Sequence, residues 1–350
     1  MSEYVNVAVD AMGGDNAPGE IIKGTVDALN AYRQLRVMLV GREEIVKEEL
    51  AKYTYPEKRV RIVNATEIIE MAEPPVNAIR KKKDSSIVKG LQLVKEGKCD
   101  AFVSAGSTGA ILAGGQLIVG RIRGIERSPL APLIPTSKGP ALLIDCGANM
   151  DARPSQLVQF AQMGSIYMKN ITGNPNPRVA IVNVGAEEEK GNALVKETFP
   201  LLKACDNINF IGSIEARDIT DGYADVIVCD AFVGNVILKM FEGVASTLLH
   251  GIKDAIMSSF KSKIGGLLIK DSLKSLLKTY DVASYGGAPM LGLRGLVVKT
   301  HGNAEAIEIQ NALGQCINFT EQKLTEQFQT GVSLKTRKTA AADNAETRTE

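Results

Sequence analysis

The chain has 350 residues, 41 Lys+Arg against 40 Asp+Glu, a formal net charge of +1 and no Trp. That balance leaves no basic footprint for a nucleic acid, and aromatic residues at 5% leave little for base stacking. Single cores stop growing near roughly 250–300 residues, so one large domain with an excursion, or two intimate lobes, is expected; the chain is read as one domain over 1–330, with an amphipathic helical excursion at 248–285 and a disordered polar tail at 331–350.

One pattern recurs along the chain. A β-branched run ends in a Gly/Asp/Asn/Ser loop and gives way to helical spacing. "VNVAVDAMGGDNAPGEIIKGTVDAL" comes first, then "LRVMLVGREEIVKEEL" and "DAFVSAGSTGAILAGGQLI". "ALLIDCGANMDARPSQLVQFAQMG", "VAIVNVGAEEEKGNALVKETF", "DVIVCDAFVGNVILKMFEGV" and "GLVVKTHGNAEAIEIQNAL" repeat it. Strands alternating with helices predict βαβ units and a mostly parallel sheet in an α/β/α arrangement. Ile22, Val26 and Leu29 share one helix face, as do Ile87, Leu91 and Val94. Loops that follow such strands lie at the carboxyl edge, where ligands bind. Six loops are therefore expected along one rim: GGD (13–15), SAGST (104–108), DCGAN (145–149), GAEEEKGN (185–192), DAFVGN (230–235) and THGN (300–303).

In the first loop Gly13 and Gly14 allow close backbone approach, while Asp10 can orient a neighbour and Asp15 can cap a helix. In the second, Ser104, Ser107 and Thr108 add hydroxyls to a turn rich in free N–H groups around Gly106; an ordinary capped turn reads equally well. Lys190 stands before a helix, where a cation opposes the dipole unless an anion lies there; a solvated surface lysine is the other reading. Asn235 either caps a helix or donates to a developing oxyanion. His301 is one of two histidines and lies at a strand end; His250 reads as a packing residue. The five cysteines form no CxxC, and Cys146 reads as a small buried residue. GxGxxG, GxxxxGK[ST] and HExxH are missing. The start "MSEYVNVAVDAM" lacks the basic, long apolar character of a signal peptide, no run of about 18 apolar residues is evident, and a cytoplasmic setting is expected.

Residues 248–280 break the rhythm. Leu249, Ile252, Ile256 and Phe260 follow helical spacing, as do Leu273, Leu276 and Leu277, and six lysines oppose Asp254 and Asp271. Gly265 and Gly266 suggest a hairpin between two helices. A basic amphipathic helix reads as a membrane-surface element, with dimer packing or docking of an acidic protein as alternatives. Leu267, Leu268, Ile269 and Lys270 are the expected membrane contact. "RKKKDSS" (80–86) is either a solvated face or a steering patch.

"AVDAMGGDNAP", "RKKKDSSIVKGLQLVKEGKCDAFVSAGSTGA", "IDCGANMDARPSQLVQFAQMG", "EEEKGN", "CDAFVGNVILKMFEG", "GGAPMLGLRG" and "HGN" together resemble the phosphate acyltransferase family PlsX, in matching order from about residue 4 to about 325. Ala231 stands where that family's pattern has glycine, and Asn303 where it has serine. The resemblance implies the fold of isocitrate and isopropylmalate dehydrogenases, shared with phosphotransacetylases, and a homodimer peripheral to an anionic membrane surface. It implies transfer of a fatty acyl group from acyl carrier protein to inorganic phosphate, with no cofactor or metal. A membrane acyltransferase would then pass the acyl group to glycerol 3-phosphate for phospholipid synthesis. On that reading the GGD and SAGST loops, with Asn149, cradle phosphate, and Lys190 neutralises charge. Asn235 and His301 donate to the carbonyl oxygen, and Asp10, Asp145 and Asp230 orient the donors. Phosphate is the nucleophile and a thiolate with thiol pKa near about 8.5 leaves, so no Ser or Cys nucleophile is needed. Two alternatives remain: a metal- and nicotinamide-dependent hydroxyacid dehydrogenase by fold analogy, and a membrane-surface scaffold resting on 248–280.

Overall fold

The computed structural model describes residues 4–279 and 285–332. The first half runs β1 (Val5–Asp10), α1 (Gly19–Ala31), β2 (Leu35–Gly41), α2 (Glu43–Leu50), β3 (Val60–Asn64), α3 (Pro75–Lys81), α4 (Ser86–Lys95), β4 (Ala101–Ser104) and α5 (Thr108–Gly114). Then come β5 (Leu133–Thr136), β6 (Gly139–Ile144), α6 (Pro154–Thr172), β7 (Arg178–Val182), α7 (Ala193–Lys203), β8 (Asn209–Ile214) and β9 (Val226–Val228). Three helices follow, α8 (Ala231–Met257), α9 (Phe260–Leu268) and α10 (Lys270–Thr279). The described chain ends with β10 (Ala288–Met290), β11 (Leu296–Lys299), α11 (Ala306–Glu321) and α12 (Leu324–Gly331).

The α/β class and the mostly parallel pairing hold, but the strands divide between two sheets. One has the order β10-β11-β4-β1-β2-β3, the other β5-β6-β9-β7-β8. All pairings are parallel except β10 with β11 and β5 with β6. The expected single rim is therefore two. GGD, SAGST and THGN follow β1, β4 and β11, neighbours in the first sheet; DCGAN, GAEEEKGN and DAFVGN follow β6, β7 and β9, neighbours in the second.

The strands read as apolar runs because both faces are covered: Ala101 to Ser104 are all buried, as are Val226 to Val228. One cluster of buried side chains joins the sheets, with Val7 and Leu35 from the first, Leu142 and Val226 from the second, and Phe160 and Tyr167 of α6.

The excursion differs from its sequence reading. Its first helix begins at Ala231, directly after β9, rather than near 248. Gly265 and Gly266 lie inside α9 and do not break it; the breaks fall at Ser258–Ser259 and at Ile269. Gly266 is a contact residue, since a Cβ there would lie 2.5 Å from Ile256 Cγ2. Contrary to expectation, α8 is long and apolar enough to cross a bilayer by length and composition, with 6% of that window buried. The expected tail starts too early: Gly331 closes α12 and its carbonyl accepts from Asn207 Nδ2 at 2.9 Å. Residues 333–350 lie outside the described residues, as do 280–284.

Candidate active site

The first rim is a knot of three loops around a buried carboxylate. Asp10, at the end of β1, is 1% exposed. Its Oδ2 accepts from Ser104 Oγ at 2.7 Å and its Oδ1 from Met12 N at 3.1 Å. Burial pushes the Asp10 carboxyl up, while Ser104, Ser86 and the Met12 and Gly13 amides pull the other way. Ser104 Oγ also accepts from Gly106 N at 3.0 Å. The two glycines answer to packing: a Cβ on Gly13 would lie 2.3 Å from Asp10 Oδ2 and 2.8 Å from Gly106 N. One on Gly14, whose φ is 99°, would lie 2.9 Å from Gly302 O. Asp15 does not cap α1, which begins only at Gly19; its amide donates to Gly302 O at 2.7 Å and ties the first loop to the THGN loop. Ser107 does cap, its hydroxyl accepting from Ala110 N at 3.4 Å, and Thr108 starts α5, exposed.

On the second rim, Asp145 and Asn149 are structural rather than free to hold a substrate. Asp145 is fully buried and accepts five N–H groups. Leu130, Gly147 and Ala148 amides reach Oδ1, while the amide and side chain of Asn149 reach Oδ2. Burial still pushes its carboxyl up. Both N–H groups of the Asn149 side chain are spent, on Asp145 Oδ2 at 2.7 Å and Ser128 O at 3.2 Å. The expected orienting role of Asp230 gives way to capping: its Oδ1 accepts from Val233 N at 2.9 Å at the start of α8. That leaves Asn235 in the second turn, not at the cap. Gly234 seats this turn on the Asp145 backbone, since a Cβ there would lie 1.9 Å from Asp145 O. Ala231, in place of glycine, is buried and donates its amide to Asn149 O at 3.1 Å. Cys146 is buried and its thiol is pushed well up by burial, as expected of an inert packing residue.

Lys190 is exposed, and its Nζ pairs with Glu187 Oε1 at 2.8 Å; that contact holds its pKa above the usual lysine value. The Lys190 carbonyl accepts from Asn183 Nδ2, which fixes the loop after β7. Of the 80–86 cluster, Lys82 is neutralised by Glu73 at 2.5 Å.

α8 carries the second rim toward the first. Asn235, Lys239 and Glu242 are spaced four and three apart and share one helix face. Glu242 Oε2 lies 3.9 Å from His301 Nε2, and Lys239 Nζ lies 2.7 Å from Glu242 Oε2. The other ring nitrogen of His301 meets Asn303 Oδ1, so the departure at 303 supplies a side chain that orients the ring. Glu242, then burial and Asn303, set the His301 pKa, with a net upward shift. Asn235 and His301 are thus at two ends of one stripe, whereas Lys190 stands on the second rim beside Glu187 and Glu215. Three residues were missed: Lys239 and Glu242, legible as polar positions four and seven after Asn235 in an apolar helix, and Lys299, which ends the run "VVK" before THGN. Among the described residues no three His, Cys, Asp or Glu side chains converge as for a metal ion.

The class this fold defines is the phosphotransacetylase-like α/β fold. A phosphotransacetylase from Streptococcus pyogenes superposes with a TM-score of 0.58 at 18% identity, over 93% of this chain and 95% of that one. The EutD phosphotransacetylase from Staphylococcus aureus gives 0.57 at 17%, over 90% and 94%. The family model described as "Fatty acid synthesis protein" matches residues 5–327, and the chain belongs to that family, as its resemblance to PlsX implies. A relative from Clostridium novyi (strain NT), named phosphate acyltransferase, is 48% identical over 331 residues, covering 95% of this chain and 99% of its own. Another of that name, from Alkaliphilus oremlandii (strain OhILAs), is 48% identical over 329 residues, covering 94% and 98%.

Proposed function

We propose that the chain is a phosphate acyltransferase of fatty acid and phospholipid synthesis, moving a fatty acyl group from acyl carrier protein to inorganic phosphate. The observation that carries this reading is the coupling of the two rims through α8, in a chain whose near-full-length relatives bear the phosphate acyltransferase name. A phosphate oxygen attacks the thioester carbonyl, the new C–O bond forms, the C–S bond breaks, and the thiolate leaves and takes a proton from solvent. The protein's task is positioning and charge stabilisation. The loops that Gly13, Gly14 and Gly106 let pack closely form the phosphate cradle, with Ser107 and Thr108 beside them, although the Gly106 amide itself is spent on Ser104 Oγ. Asn235 donates to the carbonyl oxygen as it becomes an oxyanion, while His301, at the Glu242 end of the stripe, contributes charge rather than a bond to the same atom. Lys190 offers mobile positive charge from the second rim once Glu187 releases it. Asp10 acts through Ser104 and the first loop as a positioning residue.

The acyl phosphate goes on to a membrane acyltransferase that acts on glycerol 3-phosphate. Apolar residues exposed on α8, among them Phe232, Val236 and Met240, support a homodimer covering that face. Leu267, Leu268 and Ile269 are exposed at the α9–α10 junction with Lys270 beside them, which supports contact with an anionic membrane from the cytoplasm. The polar stripe of Asn235, Lys239 and Glu242 on α8 favours these surface roles over a membrane span.

The test is direct. Protein is incubated with acyl carrier protein thioester and inorganic phosphate, without metal or nicotinamide. Acyl phosphate and free carrier thiol in equal amounts support the reading; thioester left intact rejects it.

A further inference from the structure

We propose that Lys299 is the cation that receives inorganic phosphate on the first rim. Lys299 ends β11 and is 8% exposed. Its Nζ donates to Ala105 O at 3.3 Å and to the carbonyl of Thr300, so it is held between the loops after β4 and β11. Both acceptors are neutral, and they account for two of its three N–H groups. Among the described residues no ion pair includes it.

An ammonium taken out of water without a counter-charge is strongly disfavoured. Asp10, Asp15 and Glu308 lie near enough to favour its charge but beyond ion-pair distance, and Lys239 lies near enough to oppose it. Burial, with Lys239 second, lowers the Lys299 pKa to about 8. Lys239 is paired with Glu242 Oε2 at 2.7 Å, so the buried cation lacking a carboxylate partner is Lys299, and its remaining N–H group marks the place for an anion. Gly13 and Gly14 let the first loop pack against the loops after β4 and β11, the two that hold Lys299. A compact ammonium with a rotatable donor suits a tetraoxoanion. Lys190, exposed and tied to Glu187, is the weaker resident anchor.

This inference rests on the phosphate-transfer reading for its biological meaning but is tested apart from it. Wild-type protein and Lys299→Met are titrated with inorganic phosphate alone, and the rise in Tm is followed; KM and kcat are then measured with the thioester. The expected result is loss of phosphate protection in the variant. KM for phosphate rises roughly 10- to 100-fold, as for removal of a charged hydrogen bond, while KM for the thioester is unchanged. Equal protection and equal phosphate KM in wild type and variant overturn the proposal. Should the variant fail to fold, a wild-type crystal soaked in phosphate decides: an oxygen within hydrogen-bond distance of Lys299 Nζ supports it, and an anion bound elsewhere overturns it. A wild type that is protected through Lys299 but forms no acyl phosphate rejects the transfer reading alone.

Discussion

Glu242 and His301 face each other where the two rims meet, with Oε2 and Nε2 3.9 Å apart. Each carries the other's signature: His301 is pushed up, chiefly by Glu242, while Glu242 ends below its usual value because His301 and Lys239 outweigh burial. The raised imidazole contributes stability that is full below its ordinary value of 6.5 and fades as pH rises through its folded value. The lowered carboxyl contributes above 4.5 and loses that contribution as pH falls through its folded value. The contact is therefore strongest between those two limits. NMR titration of the His301 ring is expected to give a midpoint above 6.5 that falls back in Glu242→Gln. A midpoint that ignores the substitution would show that the pair does not couple.

On the proposed mechanism Asn235→Ala removes one oxyanion donor, and turnover with the carrier thioester is expected to fall about 10²–10³-fold. Lys190→Ala is expected to slow turnover as well. Wild-type rates in both would take these residues out of the mechanism.

Gly234→Ala pushes a methyl group into the Asp145 carbonyl, 1.9 Å away, so α8 must shift. Overpacking of this kind costs about 1–3 kcal/mol, and a shift near 1 Å in Asn235 costs about 10²-fold in rate. Calorimetry and the thioester assay should record both losses together; an intact Tm and rate would mean that the helix seat yields to the methyl group.

Ser104→Ala takes a hydroxyl donor from the buried Asp10 carboxylate and an acceptor from Gly106 N. Leaving a buried group short of a partner costs about 1–3 kcal/mol. Urea denaturation should show a lower midpoint at an unchanged slope, and no change in midpoint would remove the Asp10–Ser104 pair from the list of supports.

Leu268 is 81% exposed. Sedimentation with anionic vesicles is expected to carry the protein down at low salt. Leu268→Glu and raised salt should each release it, the first through lost apolar contact and the second through screening. Binding indifferent to both would remove the membrane role from the α9–α10 junction.

Much of the architecture was legible. The switch from β-branched runs to helical spacing located β1, β2, β4, β6, β7, β9 and β11 and the loops after them, because each strand is covered on both faces. Strand partnership was not legible. β11 returns to β4 late in the chain, pairing Leu296 with Ala101, and local periodicity carries no record of so distant a neighbour. The same limit hid the split into two sheets. In the site, Asp145 looked like a rim carboxylate, but it folds back on its own turn: the Gly147, Ala148 and Asn149 N–H groups reach it locally, and only Leu130 N is brought by the fold. Lys299 escaped notice because a lysine ending a strand normally reaches solvent, whereas the Ala105 carbonyl captures this one.

That capture joins positions 194 residues apart, with a consequence for biosynthesis. A nascent chain emerging from the ribosome displays the GGD and SAGST loops while the strand that completes them is still untranslated. Until then β4 presents an open edge of the kind that invites mispairing. The three-loop knot thus arrives all at once, when β11 is made, and a product stalled before it would leave that edge of β4 unpaired.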